Sequence, residues 1–276
     1  MDLRPIPALV AYLHGLAPAF FAERMRGAPP EDIARLESLV GFRLSDNHRE
    51  FLLSMGATPA GALNPFLNDR DYSVARLIEE YEAMTSSQDI WPDRVVLFSS
   101  SEILGSTIFL RQGEDLAQDP EIGDLSYEPR QAPAGEPTLE GPAGAHGWEG
   151  RFLVHEERRL MSWLRWFAFT FRESQLEHHV WFNPPFVAAE QRWAGDAARG
   201  RAIFGELGFP TVFELESDTW CMDRGDVAVT SNADGSGSLA GDDANELKKI
   251  AAVLDDHLTL RFRPVAEDDR LRAPRR

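Results

Sequence analysis

Apolar residues recur at helical spacing on either side of Gly41. The pattern predicts two short helices with a tight break between them, because an amphipathic helix repeats its apolar positions every three to four residues. Gly41 is suited to end the first helix and Ser45 to cap the second, which is expected to end at Gly56. The apolar stripes consist of Ile33, Leu36, Leu39 and Val40 in the first helix and of Phe51, Leu52 and Met55 in the second. Neither stripe carries a reactive group, so this pair of helices indicates binding more than catalysis.

The same patterns predict further elements along the first part of the chain. They are strands at residues 95–98, 107–110 and 152–154 and helices near the N-terminus, at 73–84 and at 160–171. The helix at 160–171 is apolar on nearly every side, so it is expected to be buried on more than one side. Residues 111–150 are predicted to be loop-like, since prolines preclude a regular element from about residue 128 to 147.

The remainder of the chain predicts a smaller module of helices and short strands. Asp243 and Glu246 predict a capping box that begins its last helix. The other elements are a helix at 191–207, strands at 211–215, 219–222 and 227–230, and a hairpin turn at 223–226.

These elements predict an α+β fold. Helices are expected to pack on an antiparallel or mixed sheet, followed by a smaller α-β-β-α module at the C-terminal end. The predicted divisions are an extension at residues 1–29, a first domain at 30–172, the C-terminal module at 173–263 and a flexible tail at 264–276.

Composition and charge restrict the function. A chain of 276 residues with 43% hydrophobic residues can form a real core. We interpret its first residues as a terminal helix and not as a secretion signal, and no apolar run approaches the ~20 residues that cross a bilayer. Cys221 is the single cysteine, so neither an internal disulfide nor a cysteine-rich zinc site is expected. We therefore expect a cytoplasmic location. The net charge of −17 argues against nucleic acid and anionic lipid as partners and suits a basic protein. The alternative, which composition alone favours, is that the acidic surface serves only to keep the protein in solution.

A series of short motifs adds a resemblance. In order, they are an isoleucine, Leu-Glu, a glycine, a leucine before the next helix, Phe-Leu and a small residue, then two strands around a glycine and a closing helix. They are carried by Ile33, Leu36-Glu37, Gly41, Leu44, Phe51-Leu52 and Gly56, by residues 95–98, Gly105 and residues 108–110, and by residues 161–167. Residues 30–172 thereby resemble the SUKH superfamily, which includes bacterial immunity proteins that neutralise polymorphic toxins and fungal regulators of cell-wall assembly.

The resemblance implies an α+β fold that binds a protein and does not catalyse a reaction. It supplies no catalytic, cofactor-binding or metal-binding residue, so none is assigned. The leading hypothesis is an immunity protein that occupies the active face of a basic toxin, such as a nuclease. The alternatives are a regulatory or scaffold module without a toxin partner, and a metal-assisted hydrolase. The sequence leaves open the partner, its binding surface and the oligomeric state.

Several residue clusters invite a chemical interpretation that the pattern does not favour. Glu177 with the adjacent His178 and His179 lacks the spacing of a metal site, and His146 and His155 have no spaced partner. Cys221, in a predicted strand, is expected to be a buried structural thiol. Carboxylates that a paired site would use, at Asp71, Glu79, Glu80 and Glu82, are expected to form a solvated face.

Two other segments have a functional alternative. The run from Asn232 to Asp243 places oxygen-bearing side chains and Gly237 in the register of an EF-hand calcium loop. The alternative is a flexible turn that ends in a helix cap. A cluster of aromatic residues is expected to form core between the modules, with a partner-binding hot spot as the alternative. It consists of Trp163, Trp166, Trp181, Phe182, Phe186 and Trp193.

Overall fold

The computed structural model of the chain forms two compact units, the first extending to Met161 and the second beginning at Ser162. It describes residues 5–58, 70–83, 93–101, 107–129, 148–187, 192–193 and 195–264. Both units combine helices with antiparallel sheets, so the predicted α+β class is confirmed. No helix in these ranges has the length and the apolar character that spanning a bilayer needs.

The first unit carries the helices that its apolar spacing predicts. They are α1 (Pro5–Leu16), α2 (Pro18–Arg24), α3 (Pro30–Val40), α4 (Asp46–Met55) and α5 (Val74–Ala83). The N-terminal stretch forms two helices, because Pro18 occupies the first turn of a new helix, where its missing N–H is not needed. Gly41 ends α3 at φ 80°, a left-handed conformation that favours glycine. The Ser45 hydroxyl caps α4 by accepting a hydrogen bond from the His48 N–H at 3.4 Å.

In the described part of the first unit, the sheet has five antiparallel strands in chain order. They are β1 (Arg70–Asp71), β2 (Val95–Ser101), β3 (Thr107–Arg111), β4 (Glu121–Pro129) and β5 (Trp148–Arg159). The three predicted strands are present, but the prediction that residues 111–150 are loop-like is wrong for β4. This strand pairs on both sides, with β3 and with β5, and those ladders compensate for its weak apolar pattern.

Phe98 is at the centre of the first core. A register shift between Leu97 and Ser99 makes it the bulged residue of β2, and a bulge re-aims a side chain. Its ring contacts Phe51 of α4 at 5.2 Å and Tyr72 at 5.3 Å between centroids. The helices are therefore held to the sheet by the stripe that the sequence predicts on α4.

The second unit is larger than the predicted α-β-β-α module. Helix α6 (Leu160–Ser174) begins in the first unit and continues into the second. The other elements are β6 (His178–Asn183), β7 (Phe186–Val187), β8 (Arg192–Trp193), α7 (Ala197–Glu206), β9 (Thr211–Glu214), β10 (Trp220–Asp223), β11 (Val227–Ser231), β12 (Gly237–Gly241), α8 (Ala244–His257) and β13 (Arg261–Pro264). Six of the strands form one antiparallel sheet in the order β13-β6-β12-β11-β10-β9, and β7 pairs with β8.

Three strands of this sheet, β6, β12 and β13, are missing from the prediction, and the helix predicted from residue 191 begins only at Ala197. Strand β12 is rich in glycine and has little β propensity of its own, so its pairing with β11 and β6 determines its conformation. One face of the sheet packs against α7 and α8. That core contains Phe182, Phe204, Val229, Leu239, Leu247 and Leu254 among others.

The cap of α8 is half confirmed. Asp243 accepts a hydrogen bond from the Asn245 N–H at 2.8 Å, as an N-cap does. The carboxylate of Glu246 instead contacts Arg224 at 2.8 Å and Lys249 at 3.1 Å. Both hydrogen bonds lower the pKa of the Glu246 carboxyl, and the one with Arg224 has the larger effect.

Candidate functional site

The histidine pair lies at the start of strand β6. His178 and His179 are neighbours in a strand, so their side chains point to opposite faces and cannot share one ion. The Nε2 atom of His179 lies 3.1 Å from the carbonyl oxygen of Leu176. In the described ranges, no group of three or more histidine, cysteine or acidic side chains is placed to hold a metal ion. His146 and the side chain of His155 lie outside the described residues.

Cys221 is fully buried in β10, where its strand neighbours are Phe213 and Thr230. The prediction of a buried structural thiol is therefore confirmed. A thiol without solvent access is poorly placed to act as a nucleophile.

The predicted solvated face of carboxylates is confirmed for two of its four members, because Asp71, like Glu80, is half-buried. Asp71 accepts a hydrogen bond at the start of α5, from the backbone N–H of Ser73 at 2.7 Å. Glu79 and Glu82 are exposed on α5, and Glu80 is half-buried. The ion pairs of these acids are Arg76 with Glu79 and Glu80, and Arg35 with Glu82. These groups are paired across a surface and do not converge on one point.

The segment from Asn232 to Asp243 does not have the architecture of a calcium loop. It forms a tight turn, strand β12 and the cap of α8. In the turn, Asp234 accepts hydrogen bonds from the N–H and the hydroxyl of Ser236 at 2.8 and 2.6 Å. An EF-hand loop requires its oxygens to converge between two helices, whereas here half of the segment is extended and alternates between two faces.

The aromatic cluster is divided between core and surface. Trp163 and Phe182 are buried, and Phe182 belongs to the core of the second unit. Trp166 and Trp181 are 40% and 51% exposed, so the prediction of a core position is wrong for these two. The side chains of Phe186 and Trp193 lie outside the described residues.

The sequence did not predict a buried polar network in the first unit, formed by Ser45, His48 and Gln112. Gln112 accepts a hydrogen bond from the Ser45 N–H at 2.7 Å, and its Nε2 lies 3.4 Å from Nδ1 of His48. His48 is fully buried against Phe98, and its Nε2 has no hydrogen-bond partner among the described residues. Burial lowers the pKa of His48 to about 3, so the ring is neutral. The signal was present, because His48 lies three residues before Phe51, on the apolar stripe of α4.

Glu173 is the second titratable group that the sequence did not indicate. It lies on α6, and its Oε1 accepts hydrogen bonds from the hydroxyls of Thr230 at 3.0 Å and Ser238 at 2.7 Å. Burial raises the pKa of this carboxyl, and the two hydroxyls partly oppose the shift. The contact attaches α6 to the outer face of β11 and β12, so its geometry is that of a structural anchor.

A cavity of about 240 Å³ lies between α7 and α8 in the second unit. Its lining is apolar at Phe204 and Leu254 and polar at Asp196 and His257. Asp196 is committed to its own helix, since it accepts a hydrogen bond from the Arg199 N–H at 2.9 Å. The cavity is also smaller than the ~300–1,000 Å³ of most ligand sites. It is therefore a weaker candidate than the surface of the first unit.

The surface of the first unit combines negative charge with an open strand. Up to Met161 the chain carries 26 acidic residues against 14 arginines and no lysine, compared with 19 acidic and 14 basic residues from Ser162 on. Strand β5 is the last strand of the five-stranded sheet, and Leu153 and Val154 on it are 45% and 40% exposed. Adjacent strand residues point to opposite faces, so both faces of β5 are open at this point.

Comparisons with protein-family models, with curated proteins and with solved structures find no match for this chain. The geometry therefore carries the functional argument. The first unit is strongly acidic and has an exposed strand. The buried titratable groups, His48 and Glu173, make contacts that stabilise the fold.

Proposed function

We propose that the chain is a protein-binding module of the SUKH type that neutralises a basic toxin, for example a nuclease. The observation that carries the proposal is the charge of the first unit, where acidic residues outnumber basic ones by 26 to 14. Most of the SUKH-like stretch lies in this unit. A chain with one cysteine suits a reducing compartment, and we propose the cytoplasm as its location.

Charge supports such a function in two ways. An acidic body attracts a basic partner over roughly the Debye length, about 8 Å at physiological salt, and this attraction speeds encounter and disfavours acidic partners. A toxin that acts on nucleic acid needs cationic side chains in its cleft, because it must hold phosphates. Carboxylates on the acidic first unit can occupy that cleft in place of the phosphates.

The test uses the protein encoded beside this gene. We expect the purified chain to bind the toxic domain of that protein in titration calorimetry, and co-expression to restore growth of cells that produce the domain. Binding should weaken steeply as salt is raised from 50 to about 300 mM, because salt screens surface charge. A domain that kills cells but is neither bound nor neutralised would refute the proposal. Binding to a neighbour without toxicity would instead identify a regulatory module.

A further inference from the structure

Among the described residues, strand β5 is paired on one side only. Its ladder in the described ranges is with β4 alone, and it stands last in the order β1-β2-β3-β4-β5. A strand at the edge of a sheet presents unpaired N–H and C=O groups, to which another chain can add as a further strand.

Phe152, which precedes the exposed residues of β5, has a buried ring that holds the strand in place. A Cβ atom on Gly123 of β4 would lie 2.1 Å from the backbone oxygen of Leu153 and 3.0 Å from Cε1 of Phe152, so glycine allows β4 to approach the backbone of β5 closely next to the ring. The Arg111 guanidinium lies over the Phe152 ring, 4.9 Å from its centroid. The strand is thus fixed at Phe152, while Leu153 and Val154 beyond it are left exposed.

The backbone direction at Leu153 identifies the groups that face outward. Its carbonyl oxygen would lie 2.1 Å from a Cβ on Gly123, so it points towards β4. Polar backbone groups of successive residues in a strand point to opposite sides, so the N–H and C=O of Val154 point away from β4.

A bulge limits the open stretch. Glu121 is paired with Arg159 and Gly123 with Val154, so one residue of β4 lies opposite residues 155–158 of β5. Bulges end regular pairing and protect edges, which leaves residues 148–154 as the part that can accept a strand. Because paired strands rise equally, by ~3.3 Å per residue, this part accommodates an extended segment of about seven residues.

We propose that residues 148–154 of β5 bind an extended, basic segment of the partner protein as an additional antiparallel or parallel strand, an inference that rests on the proposed function. The charge of the first unit argues for this occupant, because a basic segment is the one that an acidic body attracts. Main-chain hydrogen bonds at Val154 would supply affinity, and the exposed side chains of Leu153 and Val154 would contact the partner's alternate side chains.

Two substitutions at one position test the proposal against the toxic domain encoded beside the gene. Val154→Pro removes the outward N–H and leaves the inward groups of Leu153 intact, whereas Val154→Ala trims the side chain and keeps the N–H. We expect proline to weaken binding about tenfold or more and alanine less than threefold. Leu53→Ala, at another exposed leucine of the same unit, leaves the charge unchanged and should remain within twofold of the wild type. Equal effects of proline and alanine, or no effect of either, would overturn the proposal.

Hydrogen exchange on the unaltered chain provides a second measurement, which holds even if Val154→Pro fails to fold. The amide of Val154 should exchange at least tenfold more slowly in the complex than in the free chain. Unchanged exchange at Val154 in a formed complex would overturn strand addition and leave the proposed function intact. Absence of any complex would be a failure of the proposed function itself.

Discussion

His48 makes the stability of the first unit sensitive to mild acid. The imidazole is fully buried, and burial lowers its pKa to about 3, compared with an ordinary value of about 6.5 in the unfolded chain. The unfolded state therefore binds a proton first as the pH falls. The contribution of the neutral ring is complete above pH ~6.5 and is lost progressively below it, down to pH ~3.

The expected size of the loss follows from the two pKa values. Below pH 6.5, protonation of His48 in the unfolded chain lowers the free energy of unfolding by ~1.4 kcal/mol per pH unit. Between pH 7.5 and 5.0 the free energy of unfolding should therefore fall by about 2 kcal/mol because of His48. At pH 5.0 the folded-state ring is still neutral, so this figure depends almost entirely on the unfolded pKa. Most carboxylates titrate below this window, which separates their contribution from that of the histidine.

The assay is urea unfolding at pH 7.5, 6.5, 5.5 and 5.0, followed by circular dichroism, on the wild type and on His48→Leu. Leucine should lower stability at pH 7.5, because Gln112 loses its contact with the ring, but it should remove about 2 kcal/mol of the pH dependence. His257→Gln, at an exposed position, is the matched control and should keep the wild-type dependence. If His48→Leu loses stability with pH as steeply as the wild type, His48 is not the group that titrates.

Three further substitutions test the packing of the two units. Arg172→Ala should cost about 2–3 kcal/mol in urea unfolding, because Asp223, only 12% exposed, loses the guanidinium at 2.7 Å and keeps the N–H of Gly225; a loss below about 1 kcal/mol would show that the pair is solvated. Gly123→Ala should lower the melting temperature by several degrees through its clash with β5, whereas Gly205→Ala, which meets nothing within 4 Å, should be neutral or stabilising; equal effects would contradict the close approach of β4 and β5. Burial raises the pKa of Glu173, so its folded form binds a proton more readily and wild-type stability should fall as the pH rises above ~4.5. The melting temperature of Glu173→Gln relative to the wild type should then rise between pH 5 and pH 8, and a constant difference would contradict a carboxyl whose pKa is raised by burial.

The sequence determined the elements that depend on neighbouring residues. Gly41 ends α3 because a left-handed residue closes the helix, and Ser45 begins α4 because its hydroxyl satisfies a free N–H. The hairpin at 223–226 is confirmed for the same reason, with Gly225 at φ 97° between β10 and β11. Such features need only a few consecutive residues, so they can be recognised in one dimension.

The tertiary structure alone decided which residues meet across the chain. Strands β4 and β12 exist because partners on both sides satisfy their backbone groups, and neither has an apolar pattern that announces a strand. The state of His48 depends on Gln112, which lies 64 residues away, and that of Glu173 depends on Thr230 and Ser238. A pKa or a strand edge is set by what surrounds a group in space, and that environment is absent from the order of residues until the chain has folded.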